Sequence, residues 1–180
     1  LVLEAGPTVG TVVRRWAHVR MFSPWRFNLD PLAAQLLAAK GWHVPTSEAY
    51  PTGRELVARW LEPLAAHPAI HPFLRVQHRV IAVARLGRDK LAGYDRIGRP
   101  FVVRVATPNG EEEILARAVI DASGAVPNPL GACDLPALGE AVLADCIAYG
   151  MPDVLGRDRA AYAGRQTLVV GAGHSAFGVL

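Results

Sequence analysis

Apolar and polar positions change their period several times along this chain of 180 residues. An apolar run, Leu1-Val2-Leu3, opens it and ends at an acid, Glu4, the pattern of a strand with a charged tip. Residues 7–16 predict a helix with Pro7 near its first turn. From Ala17 to Asp30 the chain is aromatic but aperiodic, as expected of a loop. Asp30 predicts a cap for a helix over 31–40, with Gly41 as its stop. Thr52 and Glu55 stand at capping-box spacing. Behind them Leu56, Val57, Trp60 and Leu61 recur at helical intervals, and Pro63 is expected to kink or end that helix.

After His71-Pro72 the period shortens to two. Val76, His78, Val80, Ala82 and Ala84 alternate with polar neighbours in part, and Phe101, Val103 and Val105 follow the same rhythm. They predict two strands joined across a Gly-rich connection at 87–99. Pro108-Asn109-Gly110 signals a turn into a third strand that should end at Ser123. Residues 137–144 predict a short helix, 158–164 a turn or helical stub, and 166–170 a final strand. Helices alternating with strands, with a β-rich insert, indicate the α/β class. No internal repeat is visible.

The final strand carries the sharpest chemical signal. Gln166-Thr167-Leu168-Val169-Val170 runs directly into Gly171-Ala172-Gly173-His174-Ser175-Ala176, a Gly-x-Gly-x-x-Ala motif followed by residues able to open a helix. Strand, glycine turn and helix in that order begin a dinucleotide-binding βαβ unit. Gly171 would permit the tight turn, Gly173 would let backbone approach a pyrophosphate, and Ala176 would let helix and strand pack closely. Free N–H groups at the helix start would face the phosphates, with His174 and Ser175 beside them. Glu4 suits the second strand of such a unit, its carboxylate accepting from a ribose hydroxyl. The glycine loop expected ~20 residues before that acid is absent. The sequence is therefore expected to begin inside one nucleotide-binding unit and to stop just inside a second.

Between these segments lies Ala116-Arg117-Ala118-Val119-Ile120-Asp121-Ala122-Ser123-Gly124, followed by Pro127-Asn128-Pro129. With Glu4, Ala122-Ser123-Gly124 and the glycine motif in this order, the chain resembles the two-dinucleotide-binding-domain flavoproteins, in particular flavin-containing monooxygenase-like FAD/NAD(P)H oxidoreductases. The resemblance spans nearly all 180 residues. It departs from the family in lacking the first glycine motif and in having Ser123 where Thr is usual.

The resemblance implies a fragment of a Rossmann-like FAD/NAD(P)-binding double-domain fold. Residues 1–130 would belong to an FAD-binding domain, 131–164 to a crossover, and 165–180 to the start of an NAD(P)-binding domain. It implies FAD and NADPH as cofactors (NADH is possible), a small-molecule substrate, and hydride passage from nicotinamide to flavin before oxygen or another acceptor is reduced. It places Ser123 and Gly124 at the crossing beside the cofactor and gives the strand at Val80 a backbone contact with adenine. It also puts the loop bearing Trp16, His18, Ser23 and Trp25 near the flavin ring. Each assignment has a structural counterpart. Gly10 is a plain helix residue or a close-approach glycine beside FAD, Val80 is also a core position, and the loop aromatics are core or cofactor lining.

Two further readings compete. Gly173-His174-Ser175-Ala176-Phe177-Gly178 is similar to the nucleophile elbow of α/β-hydrolases, with Ser175 as nucleophile, but Phe177 occupies the fifth position of Gly-x-Ser-x-Gly. A non-catalytic FAD/NAD(P)H sensor is the other, because binding motifs report binding rather than turnover. Catalytic side chains are not identifiable in either case.

Composition adds limits. Half the residues are apolar (51%) and 19% are charged, which suits a globular chain. A formal net charge of +3 from scattered arginines, with Arg14-Arg15 the sole basic doublet, gives no footprint for nucleic acid. No apolar run reaches the ~18 residues of a membrane span. Cys133 and Cys146 have neither Cys-x-x-Cys nor metal-ligand spacing. Two isolated thiols fit a reducing, cytoplasmic compartment, and His43, His67, His71 and His78 show no ligand or triad spacing. Oligomeric state is not legible.

Overall fold

The computed structural model describes residues 1–89, 91, 95–124, 129–131 and 135–180. Pro127, Asn128 and Cys133 of the sequence reading lie outside them. The chain divides into two compact units, one of residues 1–11 and 61–123, the other of residues 12–60 and 124–180.

In the first unit strand β1 (Val2–Leu3) pairs in parallel with β2 (Leu74–Arg75), Val2 opposite Leu74 and Leu3 opposite Arg75. The ladder continues past the strands: Glu4 N donates to Arg75 O at 2.9 Å, and His78 N donates to Glu4 O at 2.9 Å. Gln77 N then donates to Gly6 O at 2.8 Å. Gln77 has a positive φ of 56°, and there the chain breaks the single expected strand into β2 and β3 (Arg79–Arg85).

Strands β3, β4 (Phe101–Thr107) and β5 (Gly110–Ala116) form an antiparallel sheet with β4 at its centre. Central position explains the burial of Val103 and Val105, at 5% and 0% exposure. The turn signal holds: Thr107 pairs with Gly110, whose φ of 121° a side chain would strain. Val80 faces Val105 while Ala82 faces Arg104, so Ile81 is the extra residue of a bulge. The third strand ends at Ala116 and not at Ser123. Its apolar continuation, Val119 and Ile120, is exposed and has no ladder partner among the described residues.

The capping signals of the sequence are realised. Helix α1 (Thr11–Arg15) is shorter than expected, because residues 7–10 form a turn that ends at Gly10 with φ 69°. Gly10 thus precedes the helix and is not part of it. Helix α2 (Pro31–Ala38) starts at Asp30, whose side chain accepts from Ala33 N at 2.9 Å, with Pro31 at the first position. Gly41, at φ 80°, ends the segment. Thr52 and Glu55 form both bonds of the capping box that opens α3 (Gly53–Leu56). Backbone and hydroxyl donors of Thr52 hold the Glu55 carboxyl below its ordinary value.

A π-helical segment, Val57–Leu61, separates α3 from α4 (Glu62–Ala66) just before Pro63. Proline has no N–H for the carbonyl four residues back, that of Arg59. The indole N–H of Trp42 donates to that carbonyl at 2.8 Å. The expected kink is therefore a widened turn with its orphan acceptor satisfied from the side chain of another segment. Trp25, Leu37, Val57 and Trp60 form the buried apolar set nearby, and the Trp42 and Trp60 rings lie 5.4 Å apart.

Further along the chain the short helix expected over 137–144 is a 3-10 helix, Glu140–Cys146. Its first residue, Glu140, is buried and accepts from Leu130 N at 3.0 Å, Ala137 N at 2.6 Å and the Tyr149 hydroxyl. These donors, Tyr149 foremost, keep its carboxyl below the usual range. Short helices α5 (Arg159–Tyr162) and α6 (His174–Gly178) complete the unit. Residues 166–172 adopt no strand. A strand needs a neighbour to pair with, and none adjoins these residues among those described.

Candidate functional site

In the first unit the candidate residues centre on the end of β1. Glu4 follows the parallel ladder, and its Oε1 accepts from Gly6 N at 2.8 Å. Gly6 is buried, and a Cβ there would lie 1.9 Å from Thr11 Oγ1. The Thr11 hydroxyl in turn donates to Thr8 O at 2.7 Å. Glu4 is thus presented by a closed turn that only glycine at position 6 permits. Gly6 escaped the sequence reading, although its place two residues after the acid was the available signal.

The ladder brings residues 75–78 alongside Glu4, and Val80 follows on the edge strand β3 at 43% exposure. Arg75 Nη1 and His78 Nε2 approach Glu112 Oε1 at 3.3 and 3.8 Å. Ser123 lies in a turn in which its N–H and hydroxyl both donate to Asp121 Oδ1, at 3.0 and 2.7 Å. Those two bonds, the hydroxyl's the larger, lower the Asp121 carboxyl. Gly124 follows with φ 85°, and the first unit gives way to the second between these two residues.

In the second unit the glycine motif has the turn its sequence predicts, without the strand. Gly171 has φ 133°, and a Cβ built on it would stand 4.0 Å from Ala176 Cβ. Gly173 is the N-cap of α6 with extended φ and ψ of −83° and 176°. Nothing lies within 4 Å of where its Cβ would be. The conformational demand therefore falls on Gly171, and what Gly173 contributes is open space. A half-open apolar hollow of about 350 Å³ borders Thr167, Val169, Gly171, Ala176 and Phe177.

Ser175 sits inside the first turn of α6, and no positive φ falls on it. A nucleophile elbow holds its serine at a sharp, strained turn, and the residue so placed here is Gly171. No hydrogen bond joins Ser175 to a histidine or an acid among the described residues.

The aromatic loop belongs to this unit as well. Trp16 packs against Gly53, where an added Cβ would come within 2.7 Å of its ring. Ser23 donates to Asn28 Oδ1 at 3.0 Å, and Trp25 is buried at 2% exposure. Trp25 is thus core. The residue that sequence reasoning missed is Phe22, whose ring stacks on His174 with centroids 4.2 Å apart and planes 16° from parallel. Among the described residues no group of His, Cys, Asp and Glu is clustered to hold a metal, and no helix is long and apolar enough to cross a membrane.

Compared with protein-family models, with curated proteins and with solved structures, the chain matches none.

Proposed function

We propose that the protein is an FAD-dependent oxidoreductase reduced by NAD(P)H, of the flavin-containing monooxygenase type, acting on a small-molecule substrate within a Rossmann-like fold. The observation that supports this most is the turn before α6. A positive φ at Gly171, Ala176 within van der Waals reach of where a Cβ on Gly171 would stand, and free space at Gly173 are three features that suit a phosphate-cradling glycine turn. They meet within six residues.

On this reading Gly171, Gly173, His174, Ser175 and Ala176 hold the pyrophosphate side of NADPH or NADH. Glu4 holds a ribose of FAD through the carboxylate oxygen that Gly6 does not engage. Gly10, Val80 and Ser123, in the same unit as Glu4, are the further candidates for FAD contact, and Trp16, Ser23 and Gly124 are candidates on the family resemblance alone. When bound, the cofactors supply hydride transfer between their rings and electron delivery to oxygen or another acceptor. The chain's own residues bind and orient: the Glu4 turn fixes a carboxylate, the glycine turn exposes backbone N–H groups, and the aromatic loop covers apolar surface.

The test is anaerobic mixing of NADPH with the flavin-loaded protein, followed by flavin absorbance. The parent is expected to bleach. Gly173→Val should keep its flavin but lose bleaching, because the side chain fills space left for the cofactor, and Ser175→Ala should be much milder. A parent that binds both cofactors yet stays oxidised favours the sensor. A Ser175→Ala more damaging than Gly173→Val overturns the reading.

A further inference from the structure

Arginines occur along most of the chain, but the excess of positive charge is confined to one stretch. Residues 85–99, the end of β3 and the connection to β4, hold five of the 19 basic residues and two of the 16 acids, so their excess equals the +3 of the whole sequence. The remainder carries 14 of each sign. The connection lies at the end of β3 away from Glu4, since His78, which bonds to Glu4, precedes the strand and Arg85 ends it.

The described residues of this connection are braced by their own polar groups. Arg88 Nη2 and Arg99 Nε both donate to Asp95 Oδ2, at 3.2 and 3.0 Å, two cations on one acid. Asp95 takes a positive φ of 56° there. Arg96 Nη1 donates to Asp89 O at 2.6 Å, and Arg85 Nη1 donates to Arg99 O. Carbonyls are neutral, so these last two bonds fix the loop without cancelling its charge. The same stretch leaves apolar side chains in water: Leu91 and Ile97 are 93% and 95% exposed, and Leu86 is 41% exposed. At such exposure Leu91 and Ile97 add almost nothing to the core of their unit.

Positive charge interleaved with bare Leu and Ile fits one kind of partner best. Nucleic acid would engage the guanidinium groups and leave the apolar side chains wet. An anionic bilayer engages both, its phosphates meeting the arginines and its acyl boundary meeting Leu and Ile. We propose that the β3–β4 connection docks the protein on an anionic lipid surface, with Arg85, Arg88, Arg96 and Arg99 engaging headgroups and Leu91 and Ile97 entering the layer beneath. The proposal is independent of the flavin reading.

The test is sedimentation of the protein with phosphatidylcholine vesicles that contain phosphatidylserine, beside vesicles of phosphatidylcholine alone. The parent is expected to sediment with the first and not with the second, and to be released as salt rises. Arg96→Gln removes one charge at the surface and should weaken binding about 5-fold. Ile97→Ser should weaken it roughly tenfold, the scale of an apolar side chain leaving water, with an unchanged denaturation midpoint because Ile97 is almost wholly exposed. Leu115→Ser and Arg117→Gln, exposed changes of the same two kinds elsewhere in the unit, should bind as the parent does. A parent that stays in solution with both vesicles overturns the proposal, as do losses from the two control variants equal to those from the loop variants. A loss from Arg96→Gln with none from Ile97→Ser overturns it as well, because charge alone would then carry binding, as on nucleic acid.

Discussion

The turn after β1 and the turn before α6 both follow short apolar runs, and they are held in opposite ways. Around Glu4 the backbone is engaged residue by residue: Glu4 N and O bond to Arg75 and His78, Gly6 O bonds to Gln77, and Gly6 N bonds to the Glu4 side chain. Around Gly171 no ladder forms among the described residues, and Leu168 and Val170 are 86% and 63% exposed. Yet the second turn keeps its positive φ. A glycine turn is written in local sterics, whereas a strand exists only where another segment supplies partners.

If the first turn is set by packing, Gly6→Val should do the most damage. Its added atoms would collide with Thr11, and overpacking of this kind costs about 3 kcal/mol. Chemical denaturation should show that loss and, on the proposed function, reduced flavin retention. If the second turn is set by backbone conformation, Gly171→Ala should cost roughly 1–2 kcal/mol of local strain at its positive φ. That strain should be read as weaker NADP⁺ binding with an unchanged denaturation midpoint for the rest of the unit. Equal global losses from both variants would erase the distinction.

Smaller effects sharpen the same contrast at a helix cap, which is local but fully bonded. Thr52→Ala should cost about 1 kcal/mol in denaturation by leaving the N–H of Glu55 without its side-chain acceptor. A pH series adds a still smaller effect. The folded Glu55 carboxyl titrates below its ordinary value, so its contribution is present above that value and lost as pH falls through the lowered one. Stability measured from neutral to acid should show this loss in the parent, and less of it in Glu55→Gln.

What the sequence made legible follows the same line. The Asp30 cap, the Thr52–Glu55 box and the Thr107–Gly110 hairpin each depend on a few neighbouring residues, and each is present. The end of the third strand, expected to run on to Ser123, and the final strand over 166–170 depended on partners the pattern could not name, and residues 117–123 and 166–170 are not strand. Helix 7–16 lost its first turn because Gly6 and Gly10 commit that stretch to a bend, a constraint visible only once Thr11 is seen against Gly6. The positive φ at Gly171 was readable from its motif, and the place of Glu4 at a strand end from the apolar run before it. Phe22 was not, because its partner His174 is remote in sequence and no periodicity joins them.

The bulge at Ile81 bears on how the length of this chain can vary. Val80 and Val83 stand opposite Val105 and Val103, the two most buried residues of β4, although three positions separate them instead of two. Strand β3 thus carries one residue more than its neighbour needs. Deleting Ile81 would leave every cross-strand pair of the hairpin as it is. Deleting Val103 from β4 would shift register against two neighbours at once and turn side chains to the wrong face. Within this sheet a one-residue change in length is absorbed at the bulge and is expensive at its centre.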